Sequence, residues 1–407
     1  MWGRRTGRSA VGGLVALVLA STSACGPFGD DEGDDAGEAS QGAPLERLDI
    51  PDGLDADAGC GAESHTAADD LSSGRPVARC AAGHPEPAPL GQPATVRVGV
   101  RSRSEDVAPI LLADGLDEFD AENLTVKVTE FATAAELFGA LAGGDVDVVA
   151  GQLDGPFFDL VESGNGARLA LGGPLASEAH DTATPQAGLW LRTDLLDPSD
   201  DWMDLEDVGL PVAVEDSVAD AVAYPVDALL GQDDMSINTV RLAVEGGETA
   251  AAALADGELS GAWLSDPYWR PVLDSDLDVE LVATLPVAES LSGVVFSDRL
   301  LDPTRDRAVG MAFSRAVIRT INTYLAGDYQ EDDDVVESLV DATDQSEDDI
   351  VETPAWVFDW EVRQGTTDRV QTTLVDLGGV LFEQPLSERS LVDRSLYEDV
   401  VRAQDQG

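Results

Sequence analysis

Apolar and polar positions alternate over residues 95–100 (TVRVGV), with Val96, Val98 and Val100 on one face and β-branched side chains in the majority, which predicts a strand. Residues 107–119 (VAPILLADGLDEF) switch period, placing Ile110, Leu111, Ala113 and Leu116 at helical spacing. A second strand is expected at 124–131 (LTVKVTEF) and a helix at 134–142 (AAELFGALA), stopped by Gly143-Gly144-Asp145. A buried strand at 146–150, a helix at 156–163 and a strand at 168–171 continue the alternation. Strand and helix in turn predict a layered α/β unit whose ligand-facing loops follow the C-terminal ends of the strands.

The rhythm then restarts. Strands are expected at 189–191, 210–214, 239–244 and 261–264, with a lead-in at 202–208. A helical stretch at 217–230, reset at Pro225, and a helix at 249–254 separate them. Residues 279–285 and 293–296 read as strands that return to the first unit. After Pro303 the pattern is mostly helical: 305–325, 335–343, 346–352 and 366–377. Ser346, followed by Glu347, Asp348 and Asp349, is an N-cap with acids in the first turn, where the helix dipole favours them. The acids at 331–334 read as a solvated helix start, since they lack the glycine and spaced oxygen ligands of a calcium loop.

Composition adds habitat and exclusions. The 407 residues carry 24 Lys plus Arg against 79 Asp plus Glu, a formal charge of −55, and 43% are hydrophobic, enough for cores in two or three packed units. With no basic patch, polyanion binding is excluded. Lys127 is the sole lysine. A dense anionic coat suits high salt, a halophilic-type surface; a codon bias toward Arg accounts for the missing lysine and not for the acid.

The first residues are an address. Arg4, Arg5 and Arg8 precede a short apolar run at 11–20 (VGGLVALVLA), then small residues and Cys25. The run is far shorter than the ~20 residues a bilayer requires, so residues 1–24 read as a signal peptide. Residues 25–94, acidic and then rich in Pro, Gly and Ala, read as a solvated tether. Cys60 and Cys80 are expected to form a disulfide in an exported protein, worth roughly 3 kcal/mol by loop entropy. With His65 and His84 the same cysteines offer zinc-type ligands, but the spacings fit no compact zinc module, so no metal is expected. His180, in the polar loop SEAHDTATPQ, is expected to be solvated. No cysteine lies beyond residue 80 and no Ser–His or metal cluster is visible, which argues against an enzyme.

The ordered set TVRVGV, APILLADGLDEF, LTVKVTEF, AAELFGALAGGDVDVVAG and GARLAL, then residues 204–214 and the stretch from Ala250 to Trp263-Leu264-Ser265-Asp266-Pro267-Tyr268, resembles one family. Its members are the substrate-binding proteins of ABC importers for nitrate, sulfonates, taurine and thiamine-pyrimidine precursors. The small residues before Cys25 similarly resemble a bacterial lipobox, whose cysteine receives a diacylglycerol. The resemblance spans about residues 95–400 and implies a two-lobed, hinged α/β structure, the type II periplasmic-binding-protein fold, closing on a ligand. The implied division is residues 95–188 plus 287–407 for lobe I and 189–286 for lobe II.

By the strand-end rule the ligand-binding candidates are Ser102, Arg103, Ser104 and Gln152 from lobe I, and Ser217, Trp263 and Asp266 from lobe II. Serine hydroxyls and a Gln amide bind an oxyanion or a ring nitrogen without net charge. Arg103 either pairs with an anionic ligand or is an exposed arginine among acids; Trp263 either stacks on a flat ligand or fills the core; Asp266 either binds or caps the next turn. Glu215-Asp216-Ser217 stands where the family has Gly beside Ser, and Asp266 where it has Glu, which leaves the ligand open. The resemblance implies an exported receptor tethered to the outer face of the cytoplasmic membrane by lipidated Cys25. It would work as a monomer without cofactor, presenting a small nitrate-, sulfonate- or taurine-like solute to a permease and ATPase. The alternatives are a thiamine-pyrimidine-precursor receptor of the same fold, or a non-transport ligand sensor.

Overall fold

The computed structural model describes residues 59–60, 76–195, 210–214, 219–230, 242–244, 246–266, 268–273, 275–343 and 345–404. The signal peptide, Cys25, His65, the lead-in at 202–208 and Ser217 lie outside the described residues.

Among the described residues, two five-stranded sheets carry the fold. In the first, β1 (Ala94–Val100) pairs in parallel with β2 (Leu124–Glu130) and β3 (Val148–Gln152). Strand β11 (Ser292–Phe296) returns to lie antiparallel between β3 and β4 (Arg168–Leu171). In the second, β7 (Val212–Val214) pairs in parallel with β8 (Leu242–Val244) and β9 (Gly261–Leu264). Here β6 (Gly188–Arg192) is the antiparallel strand, between β9 and β10 (Val279–Ala283). The chain thus crosses from the first sheet to the second after residue 175 and returns before residue 292; of the two strands expected to return, only β11 does, and β10 stays paired with β6 in the second sheet. A short ladder beside the first crossing joins β5 (Pro174–Leu175) to β12 (Val357–Phe358).

Helices cover the sheets, each for a local reason. On the first unit lie α1 (Ala108–Gly115), α2 (Ala134–Gly143) and α3 (Gly155–Glu162). In α2, Thr133 accepts from the Glu136 N–H at 3.2 Å, and Gly144, at φ 74°, ends the helix at little steric cost. The second unit contributes α4 (Ala223–Leu230), α5 (Gly247–Ala255) and α6 (Arg270–Leu273). The C-terminal part holds α7 (Asp298–Leu301), α8 (Arg307–Tyr324), α9 (Asp333–Ala342) and α10 (Glu347–Val351), then α11 (Thr366–Leu377), α12 (Glu388–Leu391) and α13 (Ser395–Gln404). Ser346 caps α10, as its sequence predicts, and Asp349 closes the cap into a reciprocal capping box. Asp332 caps α9, so the acid run is a helix start. Strand β12 and helices α12 and α13 are not anticipated by the sequence pattern: each is short or amphipathic in a way that only its packing partners make decisive.

The tether expectation needs correction where the chain is described. Residues 76–93 are not a solvated spacer but a strap bound to α8. Cys80 N–H donates to Asn322 Oδ1 at 3.0 Å, and Asn322 Nδ2 donates to the His84 carbonyl at 3.0 Å. Arg319 donates to the Pro85 carbonyl and Arg315 to the Ala88 carbonyl, at 3.0 and 2.8 Å. The same two arginines hold Glu122, which is fully buried, and Leu90 N–H bonds the Glu122 carbonyl. A Gly-, Ala- and Pro-rich segment makes little core of its own, but its backbone carbonyls satisfy buried guanidinium groups that would otherwise be unpaired. Cys60 and Cys80 form the expected disulfide, both residues buried, so their sulfurs are not thiolate ligands for zinc.

Candidate functional site

Because β1, β3 and β9 run in matching directions within their sheets, the loops at their C-terminal ends converge. They enclose a cleft of about 710 Å³, a size that takes a small organic molecule. The first sheet supplies the loop from Arg101 to Val107 and the end of β3; the second supplies Trp263, Ser265, Asp266 and the start of α5. Between them stand Pro174, His180 and Gln186 from the first crossing, and Gln345 and Trp356 from the C-terminal part.

Six predicted residues, Ser102, Arg103, Ser104, Gln152, Trp263 and Asp266, line this one cleft. Ser104 Oγ donates to Asp106 Oδ1 at 2.5 Å, and Ser102 Oγ lies 2.8 Å from Ser104 Oγ. Since the Ser104 proton is committed to Asp106, the Ser102 hydroxyl is the donor of that pair. Arg103 is loosely paired, its Nε 4.0 Å from Glu130 Oε2. Trp263 satisfies both of its readings: only 4% exposed, it packs in the core and also forms cleft wall.

Asp266 is held from both sides of the cleft. Gln345 Nε2 donates to Asp266 Oδ2 at 2.6 Å, while Gln345 Oε1 accepts the Glu105 N–H at 2.8 Å. One amide therefore bridges the loop after β1 and the loop after β9. Arg270 reinforces the bridge, with Nε 3.4 Å from Asp266 Oδ1 and 3.0 Å from Asp349 Oδ1. Burial raises the Asp266 carboxyl above its usual range, and Arg270 partly offsets that. Glu105 is buried too; desolvation pushes its carboxyl up to about 7, against hydrogen bonds donated by Tyr329 Oη and Gln330 Nε2.

His180 departs from expectation. It is 7% exposed, its ring 4.5 Å from that of Trp356, and its Nδ1 accepts the Ser177 N–H at 2.9 Å. Burial lowers its pKa to about 4, so the ring is neutral at physiological pH. Ser177 Oγ is 3.0 Å from the same nitrogen, which makes the pair a turn cap and not a free base beside a nucleophile. Gln186 is 3% exposed; its Nε2 donates to the carbonyls of Asp181 and Thr184 at 2.7 and 3.0 Å, and its Oε1 is buried without a hydrogen-bond partner. Close approach shapes the rim: a Cβ on Gly247 would stand 2.3 Å from Tyr268 Cδ2, so only glycine lets that ring lie against the start of α5. Among the described residues, no group of three or more His, Cys, Asp and Glu is placed to hold a metal ion, and no helix is long and apolar enough to cross a membrane.

No sequence pattern signalled Glu105, Gln186, Gln345 or Trp356 as cleft residues. The only hint was the N-cap at Ser346, which fixes where the chain turns beside Gln345.

No protein-family model matches the chain, and no curated protein matches it. Solved structures do. The nitrate-binding protein of Synechocystis PCC 6803 superposes with a TM-score of 0.56 at 12% identity, over 76% of this chain and 89% of that one. The aliphatic sulphonate binding protein of Escherichia coli gives 0.53 at 16% identity, over 75% of this chain and 99% of that one. The ligand-binding component of an ABC-type import system from Staphylococcus aureus, solved with zinc bound, gives 0.52 at 14% identity, over 75% and 98%. Identities this low carry the fold alone.

Proposed function

We infer a binding role from the two-lobed periplasmic-binding-protein fold, shared with a nitrate-binding protein, an aliphatic sulphonate binding protein and the ligand-binding component of an ABC-type import system. We propose that it is an exported solute receptor that captures a small organic molecule between its lobes and presents it to a permease and ATPase. In this reading residues 95–188 with 287–407 form lobe I and residues 189–286 lobe II. Cys25 carries the lipid that holds the protein, as a monomer, at the outer face of the cytoplasmic membrane.

The observation that supports it best is the cleft of about 710 Å³, walled from both sheets and bridged by Gln345. A ligand that touches both walls favours the closed arrangement by its differential contacts, and closure reports occupancy without any chemistry. Ser102, Arg103, Ser104, Gln152, Trp263 and Asp266, with Ser217, are the proposed ligand-binding residues.

The test is a thermal-shift screen of the purified full chain against nitrate, taurine, alkanesulfonates, aminopyrimidines and organic amines. A ligand at about 100 times its Kd stabilises the fold by about 2.7 kcal/mol, a visible shift. A flat response across every charge class on folded protein would sink the receptor reading.

A further inference from the structure

We infer that the cleft selects an organic cation: a positively charged, N–H-bearing group on a flat apolar body. This rests on the receptor reading above and names its ligand class. Four features of its lining bear on this.

The first is charge. Among the described residues, six acidic side chains line the cleft (Glu105, Asp106, Glu130, Asp154, Glu248 and Asp266) against two guanidinium groups, Arg101 and Arg103; burial raises the carboxyls of Glu105, Asp106 and Asp266, and the acids still outnumber the cations without them. Arg103 already has Glu130 beside it, and His180 is neutral. The second is the fate of the helix N-termini, the usual homes for an anion. Among the described residues four helices begin at the cleft: α3 has Asp154 as its N-cap and α5 has Glu248 in its first turn, while α1 and α4, which follow Val107 and Val222, have no acid in theirs.

The third feature is hydrogen-bond polarity. An oxyanion requires donors, yet the hydroxyl protons of Ser102 and Ser104 run in sequence into Asp106, leaving the oxygens with acceptor capacity only. Gln186, one of the cleft-lining residues, turns both amide protons to backbone carbonyls and leaves its buried Oε1 without a partner. A ligand N–H would satisfy that acceptor; a sulfonate or nitrate oxygen would repel it. The fourth is the wall itself. Trp263, Trp356 and Tyr268 offer ring surface on which a flat cation gains both apolar contact and the attraction of the ring face.

A charge-matched pair of probes decides the question. Benzamidinium and benzenesulfonate share a ring and differ in the sign and hydrogen-bond polarity of the substituent. Titration calorimetry of the purified full chain, at about 0.15 M salt so that charge is not fully screened, is expected to show benzamidinium binding at least about tenfold more tightly. Asp266→Asn should weaken the cation about tenfold. Arg103→Gln, at a half-exposed side chain where folding is not at stake, should tighten it a few-fold. Tighter binding of benzenesulfonate, or loss of anion binding in Arg103→Gln, would overturn the cation assignment while leaving the receptor reading in place. If neither ring probe nor any solute of the wider screen binds, both fall together.

Discussion

Replacing Glu105 by glutamine isolates the energetic consequence of a buried acid at the cleft. The side chain is 4% exposed, and both Tyr329 Oη and Gln330 Nε2 donate to one and the same oxygen, Oε1. An amide oxygen can accept both bonds, so the substitution removes charge with little change of shape or bonding. Desolvation raises the Glu105 carboxyl from an ordinary 4.5 to about 7, and the neighbouring acids Asp266 and Asp106 push in the same direction. The folded state therefore binds the proton more tightly than the unfolded chain. The stability this provides is complete below pH 4.5 and is lost as pH rises through 7. At 1.36 kcal/mol per unit the loss reaches about 3 kcal/mol. Glu105→Gln should thus be nearly neutral near pH 4.5 and more stable than the parent by about 3 kcal/mol at pH 8. Urea unfolding of parent and variant in parallel cancels the pH dependence of the other carboxylates. The pH 8 midpoint should move up by about 1 M. An equal shift at both pH values, or a destabilised variant at pH 8, would refute the reasoning.

Glu122→Ala strands the guanidinium groups of Arg315 and Arg319 in the interior and should lower stability by about 3–5 kcal/mol in a urea titration. Reducing the Cys60–Cys80 disulfide should lower the unfolding free energy by about 3 kcal/mol, read as a fall in Tm with dithiothreitol; no change would mean that the strap holds without it. Trp263→Ala should weaken any cleft ligand by about tenfold with an unchanged circular dichroism spectrum, and unaltered affinity would remove Trp263 from the site. Gln345→Ala cuts the amide bridge between Glu105 and Asp266, so the ligand-free protein should show a larger radius of gyration by X-ray scattering; an identical radius would mean that the bridge does not restrain opening.

The alternating first unit was readable because each signal is local. The valines of β1, the Gly144 stop of α2 and the Ser346 N-cap of α10 act within a few residues of themselves. The helix at Thr366–Leu377 follows its pattern to the residue. The short ladder of β5 and β12 was not readable, since two-residue strands carry no period and exist only because positions far apart in sequence meet. The strap at 76–93 looked like linker for a related reason. Its composition says that it builds no core, and says nothing of buried arginines on α8 that need its carbonyls.

The same division runs through the cleft. The sequence by itself determined which loops end parallel strands, and so drew Ser102, Arg103, Ser104, Gln152, Trp263 and Asp266 to one place, because strand direction and the convergence of strand ends follow from the α/β rhythm. Only the tertiary structure decided what those residues can do there. Gln345 reaches Asp266 across 79 positions and Glu105 across 240, and no periodicity encodes such a meeting. Nor does any motif show that the serine protons are spent on Asp106 or that the Gln186 oxygen is left without a donor. Protonation, hydrogen-bond polarity and the sign of a cleft depend on burial, and burial belongs to the assembled chain.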